Sequence, residues 1–224
     1  MPATTDETGH ETGQASTTAS AAASSMAPAT AAAAVTAAAA ATAIDGLVGR
    51  VDYPLYVVTA ADGDEASGCL AGFVTQCSIQ PPRLLVCISK QNHTYRVAER
   101  ATSLAVHLLG QDQRDLASLF GEQSGDVADK LGQVRWAVGT TGAPVLADCA
   151  AWVEGRVLWR VSAGDHEAFL MTTDAGGSGS HPGQLTLRTA GTLRPGHPAT
   201  DAATVDTATG AGPGPGPGPG PDNR

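Results

Sequence analysis

Basic residues are missing from the first 49 positions. The chain reaches Arg50 before its first lysine or arginine, and it has only two lysines, Lys90 and Lys130. Neither a secretory signal, which needs a positive n-region, nor an arginine-bearing mitochondrial presequence is expected here, and the cytoplasm is the expected location. Aromatic residues are equally scarce: there are nine, all between Tyr53 and Phe169. Residues 1–43 hold 31 Ala, Ser or Thr and no aromatic, and residues 199–224 end in five Gly-Pro pairs from Gly212 to Pro221. Such segments cannot bury enough apolar area to offset ordering entropy. The expectation is a disordered Ala/Thr/Ser-rich region at 1–43, a folded domain at 44–198 and a disordered Gly/Pro-rich tail at 199–224. The alanine run at 31–43 is too short and too weakly apolar to span a bilayer, and is expected to form a frayed helix leading into Ile44 and Leu47.

A basic surplus is also lacking. Between Arg50 and Pro198 there are 12 Lys or Arg against 15 Asp or Glu, which argues against a nucleic-acid footprint. The four cysteines, Cys69, Cys77, Cys87 and Cys149, form no C-x-x-C pair and no Cys/His cluster at zinc spacing. No metal site is expected, and the thiols read as small buried hydrophobes in a reducing compartment.

What remains is a strand-rich middle. Tyr53 to Ala60 reads as a strand, the turn at 61–64 as a hairpin, and Ser67 to Ser78 as the returning strand, ended by Pro81-Pro82. Leu84 to Ile88 has the apolar run of a strand buried on both faces. Helices are expected at Tyr95 to Arg100, at Gln113 to Phe120 with Asp112 as N-cap and Gly121 as stop, and as a short turn at 126–132. Strands follow at 104–109, 152–161 and 167–173, with a weaker last one at 184–189. Strands joined by tight turns favour an antiparallel barrel with inserted helices over a parallel α/β sheet.

The segment Ser89-Lys90-Gln91-Asn92-His93-Thr94 joins the strand at 84–88 to a helix that Asn92 can cap. Ser89, Lys90 and Thr94 around free backbone N–H groups would suit an anion such as a mononucleotide phosphate. A capped helix with a solvated lysine has the same signature, and both readings stay open on these residues alone. In the preceding strand, Gly72 fits a close approach by a ligand or another backbone, and Thr75 and Gln76 interrupt an apolar run; a bulge with ordinary surface residues has the same signature, and both readings stay open.

Five segments in order, YPLYVVTA, SGCLAGFVTQCSIQPPRLLVCISKQNHT, SLAVHLLGQDQRDLASLF, GAPVLADCAAWVEGRV and AGDHEAFLM, resemble the flavin reductase-like family of the FMN-binding split barrel. The resemblance covers Tyr53 to Thr192. It implies a mainly β, Greek-key-like split β-barrel with inserted helices, and a homodimer with FMN near its interface. By carry-over, Gly72, Phe73, Thr75 and Gln76 line the flavin ring and ribityl chain, while Ser89, Lys90, Asn92 and Thr94 hold the phosphate. Asp165 and His166 match a G-D-H motif close to the flavin, where the NAD(P)H donor stacks. Leu187 stands where an aromatic residue is usual. The implied activity is hydride transfer from NAD(P)H to FMN, with reduced FMN available to a partner monooxygenase. Alternatives within the same fold are a non-catalytic FMN storage or sensor module and a user of a deazaflavin or haem-type ligand.

Overall fold

A computed structural model of the chain describes residues 27–196. The expected tails at 1–26 and 197–224, the Gly-Pro run included, lie outside the described residues. Helix α1 (Ala27–Val48) forms, with residues up to Val51, a unit separate from the rest. Alanine's helix propensity forms the helix expected over the alanine run at 31–43 and extends it at both ends, and Thr42 Oγ1 donates back to Ala38 O at 3.0 Å. Among the described residues no helix is long and apolar enough to cross a membrane.

The second unit begins at Asp52. Its elements are β1 (Tyr56–Asp62), β2 (Glu65–Ala71), β3 (Val74–Ile79), β4 (Pro82–Ser89), α2 (His93–Ala98), β5 (Ser103–Leu108) and α3 (Arg114–Glu122). Then come β6 (Trp136–Val138), β7 (Pro144–Leu146), β8 (Ala151–Ser162), β9 (His166–Met171), β10 (Ala175–Ser178) and α4 (Leu187–Ala190). The main sheet runs β2-β1-β5-β8-β9-β4-β3, antiparallel throughout, with β10 added to β8 and a separate β6–β7 hairpin. This is the mainly β, antiparallel architecture expected from the strand pattern.

Strand β8 makes the sheet wrap. Residues 151–156 pair with β5 and residues 157–162 with β9, with a register shift between Val157 and Trp159. At the changeover, Gly155 lies against the Thr172 carbonyl so closely that no Cβ would fit. Here the missing side chain is what lets the strand turn the corner. Alternation along β1 then serves two cores. Val58 and Ala60 point into the barrel with Cys69, Val86, Ile88, Leu104 and Phe169. Val57, with Leu55, packs under α3 against Ala117, Phe120, Leu146 and Leu185.

Several local expectations are corrected. The strand expected over 67–78 is two strands, because the chain bends at Gly72-Phe73 and moves from one end of the sheet order to the other. Strand β4 begins at Pro82, and its Leu85–Cys87 side is only half-buried, so it is not covered on both faces. Residues 126–132 form no α-helix; a single 3-10 turn spans Leu131–Gln133. Asp112 does not cap α3. Gln113 takes the cap position, accepting from Gly110 N at 2.9 Å and donating to Asp148 O, while Asp112 pairs with His181. Gly121 does not stop α3, and its bare backbone packs against Leu70. The last strand reduces to one bridge, Pro54 to Thr186, after which a Thr186–Thr189 capping box starts α4.

His107 is fully buried in β5. Its Nδ1 donates to Val57 O at 2.9 Å and its Nε2 accepts from Leu146 N at 3.0 Å, a pattern only the neutral ring satisfies. Burial pushes its pKa down to about 4, against smaller pulls from the Val57 carbonyl and Glu154. The unfolded chain therefore takes up this proton first as pH falls below about 6.5. Stability should be fully present above that pH and fall by about 1.4 kcal/mol per unit towards pH 4. Urea midpoints at pH 7.5 and pH 5 should show this loss, and His107→Gln should flatten it. Equal slopes for the variant and the wild type would assign the loss to other groups.

Candidate functional site

The bend at Gly72-Phe73 opens a cleft of about 490 Å³ between the barrel and α3. That volume lies within the roughly 300–1,000 Å³ usual for small-molecule sites. One wall is the end of β2 with the bend itself, Cys69 to Phe73, and the floor is the end of β4, Cys87 to Ser89. Asn92, His166, Phe120 and Gly121 close its other sides. Leu187, Leu193 and Pro195 come from a strap that follows the barrel, and Tyr53 and Leu55 precede β1.

The strap is well tied. Arg114 donates to Ala190 O at 2.8 Å and Thr192 O at 3.3 Å. Glu122 accepts from Arg194 N at 2.8 Å, and Leu187 N bonds Tyr53 O at 3.0 Å.

None of these lining residues is Asp, Glu, Lys or Arg. The wall is mostly apolar, with Ser89, Asn92, His166, the Tyr53 hydroxyl and the two thiols as its polar side-chain groups. Rings line the mouth: Phe73 lies 6.0 Å from Tyr53 and 5.3 Å from His166, centroid to centroid, both tilted by 54°. The close approach that Gly72 marks is that of the Tyr53 ring, which fills the space a Cβ would need. An uncharged, ring-lined slot suits a flat heteroaromatic molecule, so the residues present fit the ring of a flavin.

Of the residues singled out by sequence, Gly72, Phe73, Ser89, Asn92 and His166 come together in this cleft. Ser89 is mostly buried, and its Oγ accepts from Gln91 N at 3.3 Å. Asn92 caps α2 by accepting from Thr94 N at 3.1 Å. His166 opens β9, and its Nδ1 bonds Asp165 Oδ1 at 2.9 Å, which leaves Nε2 for the cleft. The hydrogen bond from His166 is the main reason the Asp165 carboxyl sits below its ordinary range.

The other residues lie elsewhere. Thr94 is fully buried with its hydroxyl on Ser67 at 2.9 Å. Lys90 turns away from the cleft: Nζ donates to Ser162 Oγ at 2.5 Å and Gly164 O at 2.8 Å, 3.9 Å from Glu167. It ties the end of β4 to the turn that carries Asp165 and His166, a role its solvated reading did not anticipate. Thr75 and Gln76 are exposed on β3, with Gln76 donating to Ser78 O at 3.0 Å. Thr75 belongs to an outward row, Thr75–Leu85–Leu170–Trp159, paired across four strands.

Sequence reasoning did not single out Tyr53, Cys69, Cys87, Phe120 or the strap beyond Leu187. For Cys87 the signal was present, since it sits one position before Ile88 on a strand leading into Ser89. The strap offered none, because Leu193 and Pro195 belong to no periodic element.

Comparison with known proteins agrees with the geometry. The flavin reductase like domain family matches residues 48–193. An FMN reductase (NADH) of Pseudomonas syringae is 35% identical over 56% of this chain and 67% of its own length. The structure of an FMN-binding protein from Thermus thermophilus is similar with a TM-score of 0.55, at 28% identity over 58% of this chain and 72% of that one. An NADH:FAD oxidoreductase of Streptomyces globisporus, also at 0.55, is 26% identical over 59% and 78%. The chain spans less of other curated relatives, 35% of one from Rhizobium meliloti and 55% of one from Moorella thermoacetica. With most of the barrel and both walls of the cleft inside the matched residues, the chain belongs to the flavin reductase like domain family.

Proposed function

We propose that this chain is an NADH-dependent flavin reductase that takes FMN in the cleft beside Gly72-Phe73. The observation that carries this reading is the cleft itself, walled by Tyr53, Phe73 and His166 and free of charged side chains. When bound, the flavin supplies a two-electron acceptor for hydride from the nicotinamide. Phe73 and His166 hold the ring plane and leave room for the donor ring beside them. Ser89 and Asn92, where β4 runs into α2, offer polar groups to the ribityl chain and phosphate. Leu187, Leu193 and Pro195 keep water from the reacting face. No acid–base pair is needed for hydride transfer, so proximity and orientation are what the chain contributes.

The test is aerobic oxidation of NADH and NADPH by purified protein, with and without FMN, alongside the visible spectrum. Oxidation of NADH that rises with added FMN is the expected result. A flavin spectrum without turnover would favour the storage or sensor module, and neither spectrum nor turnover would sink the reading. Release of reduced FMN to a partner monooxygenase is the corresponding role, and a cytoplasmic location is supported by four unpaired thiols.

The same reading includes a homodimer. Trp159 is 60% exposed and Ile79 84% exposed, and the outward row of Thr75, Leu85, Leu170 and Trp159 forms an apolar face beside the cleft. A second copy on this face would bring Thr75 next to a flavin held by Phe73 and Cys87. Light scattering should give twice the chain mass, and Trp159→Asp should shift it towards monomer with weaker FMN binding. A monomeric wild type would remove the dimer and leave the cleft.

A further inference from the structure

The cleft has no charge in its walls, but one lies directly behind them. Lys130 is 4% exposed, and among the described residues no carboxylate lies within ion-pair distance of its Nζ. Among the described residues its ammonium donates to two carbonyls at the end of α3, Gln123 O at 3.2 Å and Phe120 O at 3.4 Å, and it sits 5.7 Å from the centre of the Phe120 ring. Phe120 and Cys69 are also cleft-lining residues, so the ring that the ammonium contacts is shared with the cleft wall.

The field of Lys130 reaches the wall. Burial pushes the Cys69 thiol up to about 11, and Lys130 is the main charge acting against that rise. Burial likewise holds the Lys130 ammonium below the ordinary lysine range, with Cys69 and Asp126 pulling the other way. Asp126 and Asp129 line a pocket with Lys130 on the far side from the cleft's lining residues, but neither forms an ion pair with it: Asp126 is engaged by Arg96 and His93, and Asp129 accepts from Gly132 N. A buried cation kept without an ion-pair partner costs free energy that two carbonyl contacts offset only in part.

We infer that Lys130 is a positioning residue for charge: an uncompensated cation behind Phe120 and Cys69 that makes the cleft bind reduced FMN more tightly than oxidised FMN. This rests on the flavin reading of the cleft. Two-electron reduction by a hydride adds one negative charge to the bound ring, while the donor leaves as the oxidised nicotinamide, so electrons and charge balance. A fixed cation across one aromatic ring favours the form with the extra charge, and the low dielectric of the wall strengthens the effect. The carbonyl contacts alone would make Lys130 a helix cap, and that role would not distinguish the two flavin states.

The experiment measures dissociation constants of oxidised FMN and of dithionite-reduced FMN under anaerobic conditions. The proteins are the full-length wild type, Lys130→Met, Lys130→Gln and Lys130→Arg, each checked for the wild-type unfolding midpoint. Lys130→Gln keeps donors for the two carbonyls without the charge, so it serves where Lys130→Met does not fold. Both neutral variants should lose affinity for reduced FMN by about tenfold more than for oxidised FMN, and Lys130→Arg should keep the wild-type ratio. Tenfold corresponds to a bound-flavin potential lower by about 30 mV. Equal losses for the two forms, or an unchanged ratio in Lys130→Gln, would overturn the inference while the flavin reading stands. A wild type that binds neither form would overturn both.

Discussion

Replacing Glu154 by alanine should lower the stability of the fold by roughly 3 kcal/mol. The side chain is fully buried in β8, and its carboxylate collects four hydrogen bonds from one turn. Oε1 accepts from Thr140 N at 2.8 Å and Oγ1 at 2.7 Å, and Oε2 accepts from Thr141 N at 3.1 Å and Oγ1 at 2.7 Å. Burial alone would raise its pKa, but the bonds from Thr140 and Thr141 outweigh it and hold the carboxyl below the usual range. The stability it contributes is thus present at neutral pH and is lost as pH falls through the depressed value. Alanine would orphan four donors and detach the turn between β6 and β7. That hairpin also covers the core, through Thr59 Oγ1 on Pro144 O and Leu146 N on His107. Urea unfolding at pH 7 is the check, and a variant within about 0.5 kcal/mol of wild type would mean the turn is held by packing instead.

The barrel was legible because its strands are short, apolar and punctuated by turn residues, signals that act locally. Asn92 as the cap of α2 and the hairpin at Gly63 follow from the same local chemistry. What escaped depends on residues far apart in the chain. Gly155 looks like any strand glycine until Thr172 is packed on it, and the break at Gly72 makes sense only once Tyr53 occupies the space beside it. For Glu154, nothing near it in the chain announces the two threonines that arrive from the preceding hairpin. For the cleft, the rings Phe73 and His166 were visible, one in a strand and one in a G-D-H turn. Lys90 suggested an anion because it is a basic residue beside a helix start, and its contacts with a serine and a carbonyl across the sheet could not be read from that local pattern. Of the strap, the sequence marked Leu187 alone, since the strap's placement is set by Arg114 and Glu122 binding its backbone rather than by its own side chains.

His166→Ala should lower turnover with NADH by roughly 10- to 100-fold while changing the affinity for oxidised FMN only a few-fold. The ring is held on three sides: by Asp165 at Nδ1, by Phe73 at 5.3 Å, and through the turn that Lys90 anchors at Ser162 and Gly164. That degree of fixing suits a group that orients a second ring against the first; on the proposed reading Nδ1 donates to Asp165 and Nε2 accepts from the donor's amide. Asp165→Asn offers Nδ1 the wrong partner and should fall between wild type and His166→Ala. Lys90→Ala should behave similarly by loosening the turn, since its amine does not line the cleft. Single-turnover reduction of bound FMN separates the possibilities, because it reads the hydride step apart from flavin binding and product release. Loss of FMN affinity and turnover in equal measure would place His166 in holding the flavin, and an unchanged rate would leave it as a structural residue of the turn.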